Sequence, residues 1–485
     1  MRNSSMWLKR TSAISAGAVL LGTLAGCNVG PKYKQPNFPA PPAYRGADEA
    51  AVSSAESLGD QQWSQVFREP ELQALIKTAL TNNYDLRIAA QHILEQQAQV
   101  QITRAQQFPT LGIGGTGIGA GIPALNSIGS NNSGSNSNSS LSLSSPLAEG
   151  DLSLSATWNP DFWGLYRKQT EAARDQLLSQ TWAQRAVRMT LVQQVATTYI
   201  QLRSLDRQLE ITKQTLGVRQ DSVKLTETLE NGGSVPLSDV RQAEQLLYTA
   251  TSEIPQLEQQ IQQQENALTL LLGANPGPVG HTDPNALTPP PQDLPTGLTT
   301  QLMARRPDIQ QAEAQLKEAN ANIGVARAQF FPQLSLSASA GFGSDSFTNF
   351  FNAGSRTIYS IGSLTQPIFE GGKLRGQLNL SKATEQEMLL SYQKTVTGAF
   401  HDVSNALIAL NKQHALRVQQ EKLVDSAQDA TRLARLRYQG GATAYLEVLT
   451  TDSNLFTAQL SLVTAQQGEA LALVQLYSAL GGGWQ

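Results

Sequence analysis

RAQFFPQLSLSASAGFG, residues 327–343, changes its period midway. Up to Phe331 it continues a Gln- and Ala-rich helical stretch, and Pro332 halts it. Beyond the proline, Leu334, Leu336, Ala338, Ala340 and Phe342 alternate with Ser335, Ser337, Ser339 and Gly341. Period-two alternation predicts a strand with one apolar face and one small polar face. RAQQFPTLGIGGTGIGAG (104–121) reads the same way, with Arg104, Ala105, Gln106, Phe108 and Pro109 standing 223 positions earlier (327 − 104).

The echo extends along the chain, so an internal twofold repeat organises it. NPDFWG (159–164) falls on QPIFEG (366–371), and NGGS (231–234) on QGGA (439–442). Asp239-Val240 matches Glu447-Val448, and Leu272-Gly273 matches Leu480-Gly481. The first copy carries an extra polar stretch, GSNNSGSNSNSS (129–140), a loop tip by composition. The copies run 61–273 and 298–485, with β-hairpins about 110–160 and about 333–367, joined by a Pro-rich linker at 274–297.

Each copy predicts helix, strand, loop, strand, long helix, Gly turn, helix. The strands are expected at Thr110–Gly121, Asp151–Trp158, Gln333–Gly343 and Arg356–Thr365. Pro109, Pro160, Pro332 and Pro367 mark the four helix–strand junctions, where a missing N–H is tolerated. The last strand alternates poorly, with Tyr359 and Ile361 on one face and Ile358 on the other. From Phe162 to Glu230 there is no proline, which predicts a helix of about 100 Å. Its counterpart runs from Gly372 to Tyr438. Val195, Leu202, Leu209, Leu216 and Val223 recur every seven residues, the spacing of coiled-coil packing. Gly232 and Gly233, then Gly440 and Gly441, are expected to end the long helices in left-handed turns, with Pro236 in the first turn of the returning helix.

The chain has 485 residues, a formal net charge of −3 and only 15% charged residues, which argues against a nucleic-acid surface. No apolar run beyond the first 30 residues is long enough for a spanning helix, whereas short alternating strands suit a membrane barrel. Residues 1–26 read as a secretory signal with Arg2, Lys9 and Arg10 ahead of an apolar core. Leu24-Ala25-Gly26-Cys27 resembles a bacterial lipoprotein signal, and Cys27 is the only cysteine. That resemblance implies acylation of Cys27, a lipidated extended segment over 27–60 and, with Asn28 next, sorting to the outer membrane.

An open sheet edge has no hydrogen-bond partner in hydrocarbon, so the strands must close. Four cannot, eight give a bore filled by side chains, and twelve leave a lumen. Three chains therefore form the smallest assembly with a pore, and the long helices continue it.

With the lipoprotein signal, the two Phe-Pro strand junctions, the paired Gly turns, RYQGGATAYLEVL (437–449) and ALGGGW (479–484), the chain resembles the TolC-like outer membrane efflux factors, in their NodT-type lipoprotein branch. The resemblance implies an α+β membrane protein: a homotrimer whose four strands per chain make a 12-strand outer membrane barrel. A long periplasmic α-helical barrel continues it. It implies a passive exit duct for small molecules in a Gram-negative outer membrane. A periplasmic adaptor and an inner-membrane resistance-nodulation-division pump would be its partners, beside outer membrane lipid. It implies no enzyme activity and no cofactor apart from the covalent lipid. The alternatives are the duct of a type I protein-secretion system and a non-conducting periplasmic helical scaffold. The latter would leave liposomes unswollen.

By the same resemblance the Gly turns lie at the periplasmic tips. Glu447 takes an acidic-ring position of the aperture, Asp239 the acidic position in the first copy, and Tyr438 the tyrosine. Thr443 stands where the family has an arginine and Thr450 where it has a second aspartate, so the resemblance does not carry the family's arginine bridge over to this chain. Read on their own, Asp239 and Glu447 are carboxylates favoured by a helix N-terminus. GIGGTG (112–117) matches a dinucleotide fingerprint but lies within an alternating strand with no helix opening after it. His92, His281, His401 and His414 form no metal-ligand pattern, so no metal site is expected. QLEQQIQQQEN (256–266) reads either as solvated helix surface or as a face that docks an adaptor.

Overall fold

The computed structural model describes residues 29–46, 57–120, 147–280, 295, 297–344 and 349–484. The chain forms, in order, α1 (Trp63–Val66), α2 (Pro70–Asn82), α3 (Tyr84–Ala105), β1 (Thr110–Ala120), β2 (Leu147–Trp158), α4 (Leu165–Asn231) and α5 (Leu237–Leu271). It continues with α6 (Thr299–Arg305), α7 (Pro307–Ala328), β3 (Gln333–Ser344), β4 (Arg356–Thr365), α8 (Lys373–Gln439) and α9 (Tyr445–Ala479). Corresponding helices have equal lengths: 22 residues in α3 and α7, 67 in α4 and α8, 35 in α5 and α9. Among the described residues no helix is long and apolar enough to cross a membrane.

Two compact units are distinguishable. One comprises Gln97–Asp175 and Lys317–Gln386 with the segment ending at Lys34, and it holds the sheet. The four strands pair antiparallel in the order β1-β2-β3-β4, leaving β1 and β4 at the edges. The register puts Leu111, Leu154, Ala338 and Ile358 on one face. Gly112, Ser155, Ser339 and Tyr359 lie on the other. β4 occupies its expected residues. β2 begins four residues before the expected Asp151, because β1 pairs with it down to Leu147 and the ladder satisfies a non-alternating Ala-Glu-Gly backbone.

Trp163 anchors the helix end of this unit. Its ring stacks on Phe331 at 4.8 Å, and its Nε1 donates to the Pro332 carbonyl at 2.8 Å. Trp158 Nε1 donates to the Gln107 carbonyl at 3.1 Å, and Gln107 donates to the Thr170 hydroxyl at 2.6 Å. Buried Lys168 lies across Gly324 and pairs with Glu171 at 2.7 Å.

The second unit comprises Gln35–Gln96, Gln176–Leu316 and Glu387–Gln485. Its core buries Ile76, Val195, Tyr199, Leu202, Val396 and Leu476. The extended segment before Gly46 lays Phe38 and Tyr44 against Phe400, at 6.5 and 6.3 Å between ring centroids. Of the heptad residues, Val195, Leu202 and Val223 are buried, while Leu209 and Leu216 are half-buried. Arg306 gathers Asp308 (2.7 Å), Asp402 (3.1 Å) and the Ala479 carbonyl (3.1 Å). The GGGW ending has a packing role as well. A side chain at Gly482 would meet the Tyr477 ring at 2.3 Å, and Arg185 lies 4.2 Å from the Trp182 ring and 5.0 Å from that of Trp484.

Candidate functional site

The returning helices meet the long ones in two turns of the same geometry, both within the second unit. Gly232 N–H donates to Thr228 (3.2 Å), Gly233 to Glu230 (2.8 Å) and Ser234 to Leu229 (2.8 Å). Gly440, Gly441 and Ala442 repeat this with Leu436 (3.1 Å), Tyr438 (2.9 Å) and Arg437 (2.8 Å). These are Schellman caps. Only the second glycine of each pair is left-handed, with φ +72° at Gly233 and +71° at Gly441, so Gly232 and Gly440 do not serve that role. Pro236 is the N-cap of α5, one place outside its first turn, as Ala444 is of α9.

Asp239 and Glu447 are both third residues of their helices, where free N–H groups and the helix dipole favour a carboxylate. Glu447 Oε1 accepts from Arg437 Nη1 at 2.7 Å, and its other oxygen accepts from the Thr443 hydroxyl. An arginine bridge to the acid therefore exists, but its arginine precedes the turn rather than standing at 443. Thr450 donates back to the Leu446 carbonyl at 2.8 Å. Tyr438 packs 5.1 Å from Tyr445 against a cluster of Val223, Ala243, Ala434, Val448 and Leu449. Burial pushes the Tyr438 hydroxyl above the usual phenol range, and the negative charge of Asp239 adds to this. Tyr438 thus neighbours the acid of the first copy, while Glu447 is held within the second.

Sequence reasoning missed a buried ionic knot just behind the turns. Arg219 of α4 donates through Nε to Asp452 at 3.3 Å and through Nη1 to the Leu246 carbonyl of α5 at 2.9 Å. It also lies 4.9 Å from the Phe456 ring. Arg435 of α8 donates to the other Asp452 oxygen at 3.0 Å. Four helices meet at two guanidinium groups and one carboxylate. The available signal was an aspartate at the core spacing Val448, Leu449, Asp452, Phe456.

Elsewhere, the residues singled out in the sequence fall as follows. Pro109 and Pro332 immediately precede β1 and β3, and Pro160 and Pro367 each follow a strand by two residues. GIGGTG lies inside β1. His92 pairs with Glu95 at 3.0 Å, and His401 contacts Asn405 at 3.2 Å. His414 Nδ1 lies 2.7 Å from buried Glu469, which also accepts from Arg417. No group of three or more metal-binding side chains occurs among the described residues. Cys27 and His281 lie outside the described residues. In the first unit, burial lifts the Asp175 carboxyl to about 6, with Glu171 adding to the shift and Lys317 and Lys168 opposing it. Glu318 is raised by burial and then by Asp175.

Comparison with known proteins agrees with this architecture. The model of the family described as outer membrane efflux protein matches residues 75–274 and 298–482. The toluene efflux pump outer membrane protein TtgC of Pseudomonas putida is 36% identical over 484 residues, covering 98% of this chain and 96% of that protein. The cation efflux system protein CusC of Escherichia coli is 32% identical over 460 residues, covering 95% and 97%. The open-state MtrE outer membrane channel of Neisseria gonorrhoeae superposes with a TM-score of 0.82 at 28% identity, over 95% of this chain and 99% of that one. With both copies matched by the family model and relatives 32–36% identical over nearly the whole chain, the chain belongs to the outer membrane efflux protein family.

Proposed function

We propose that three copies of this chain close a 12-strand barrel in the outer membrane and continue it as a periplasmic helical barrel. The duct passes small molecules delivered by an inner-membrane pump and a periplasmic adaptor. One observation carries this reading: the two copies of the repeat are unequally covered. In α7, Ile309, Leu316 and Ile323 are buried, yet the equally long α3 buries nothing and exposes Ile88, Leu94 and Ile102. The β1 and β4 edges are open in the same way. A neighbouring chain supplies to α3 and β1 what the first copy supplies to α7 and β3. The family model's two matched stretches support the repeat itself.

Lipid on Cys27 anchors the N-terminus, and its acyl chains reinforce membrane affinity. The pump supplies the energy, and the duct requires no cofactor. Relatives of similar identity are named for toluene and for cation efflux, which fits a wall that does not select its cargo. At the tips, Asp239, Glu447 and Tyr438, with Thr443 fixing Glu447, form the periplasmic gate.

Native mass spectrometry and planar bilayers test the reading together. A three-chain mass with ohmic conductance is expected, and conductance should rise in a D239N/E447Q variant. A monomer, or a trimer silent in both forms, refutes the duct; a conducting trimer with unchanged D239N/E447Q conductance refutes only the gate. Metabolic palmitate labelling of wild type but not of C27S tests the anchor.

A further inference from the structure

Both strand-to-strand connections leave the sheet at the end opposite the helices, and that end carries an unusual patch. Across all four strands, the face of Leu111, Leu154, Ala338 and Ile358 holds one charged residue, Arg356. Arg356 is exposed, and its guanidinium has no hydrogen bond or ion pair among the described residues. In the register it stands opposite Phe342. The Phe342 ring meets Phe351 edge-on at 5.7 Å, and Phe351 meets Phe350 at 5.2 Å. The Phe350 ring in turn lies over Gly150, where a side chain would approach it to 3.1 Å. Three aromatic rings thus cap one end of the apolar face beside a single cation.

The spacing gives this patch a depth. From Leu364, near the helix end, to Arg356 is eight residues of one strand. That is about 26 Å at the strand rise, or roughly 20 Å once tilted, close to the apolar band of an outer membrane barrel. A charge facing lipid at mid-band would be strongly unfavourable, whereas at the rim it is tolerated. Arg356 therefore sits at headgroup level, within an aromatic girdle, on the outer side.

We propose that Arg356, flanked by Phe342, Phe350 and Phe351, binds the phosphate of an anionic lipid of the outer leaflet. A guanidinium matches a phosphate through two parallel hydrogen bonds, and the rings pack on the acyl and sugar portion below it. The site rests on the barrel reading above and occurs three times per trimer.

Trimers reconstituted in phosphatidylcholine nanodiscs containing lipid A are released for native mass spectrometry, and their conductance is measured from the same preparation. Wild type should carry up to three lipid A adducts. R356Q should lose occupancy about tenfold, and R356K should be intermediate. Conducting R356Q trimers that keep the wild-type adduct count overturn the site and leave the duct reading intact. So does a variant whose thermal stability falls while lipid binding does not, because the arginine then serves its own loop. A preparation that neither trimerises nor conducts overturns the barrel reading and the site with it.

Discussion

Replacing Asp452 with asparagine probes what holds the tip helices together. Arg219 is 4% exposed and Asp452 13%, so the variant strands a guanidinium in a nearly dry site. At 3.3 Å and an effective dielectric of about 20, their attraction is roughly 5 kcal/mol. Removing one partner of a buried pair costs about 3–5 kcal/mol. Here Arg219 keeps the Leu246 carbonyl and the Phe456 ring, which brings the expected loss to about 2–3 kcal/mol. Hydrogen–deuterium exchange of the detergent-solubilised protein reads this locally. Amides of Val448–Phe456 should exchange about 30- to 150-fold faster in D452N, at 1.4 kcal/mol per tenfold. Replacing the pair together, as R219M/D452L, should restore most of the protection, since apolar groups of similar volume leave no buried charge behind and Arg435, 43% exposed, turns to water. Unchanged protection in D452N would refute the reasoning, as would a double variant no better than the single one.

Three further outcomes follow from the geometry. Asp151 lies on the small-residue face and accepts from Ser153 at 3.0 Å, so three copies would ring the bore; D151N should lower the cation-over-anion permeability ratio measured from reversal potentials. The raised Asp175 carboxyl is favoured protonated in the fold, so its contribution is full below the unfolded value of 3.8 and is lost as pH rises through about 6. The unfolding temperature should therefore fall between pH 5 and pH 7.5, and D175N should flatten that slope in a thermal scan. G441A forces a Cβ into φ +71° where no atom crowds it, so its penalty is conformational, about 1 kcal/mol, and G440A should be nearly neutral by the same exchange measurement.

The sheet was legible because its signals are local. Prolines at 109 and 332 stop helices, and the alternation after Pro332 needs only neighbouring residues to be read. Where alternation fails, pairing decides: Leu147–Gly150 joined β2 through β1, with nothing in Ala-Glu-Gly to announce it. The turns were legible as turns, yet the division of labour between paired glycines depends on φ alone, which both residues permit. The ion pairs were least legible. Arg437 reaches Glu447 across a turn, and Arg219 reaches Asp452 across 233 positions of sequence, separations over which no periodicity carries information. The resemblance singles out Asp239 and Tyr438 separately, and only the folded chain brings the two side by side. With a threonine at 443, nothing local announces an arginine for the second acid; Arg437 supplies one by reaching back from the preceding helix.

The order of the strands in the chain also sets an order of events in time. β1 and β2 are separated by 26 residues and β3 and β4 by 11, but β2 meets β3 only after about 175 residues of helix and linker. Closing that loop costs about 4.6 kcal/mol of chain entropy before any pairing compensates. The intervening helices form from local contacts and shorten the search. In the trimer proposed above, pairing between chains would come later still and would depend on concentration, with β1 and β4 of each subunit waiting without a partner strand among the described residues. In that assembly, closure of the barrel would be the final commitment of this polypeptide, made only after every contact within its own chain.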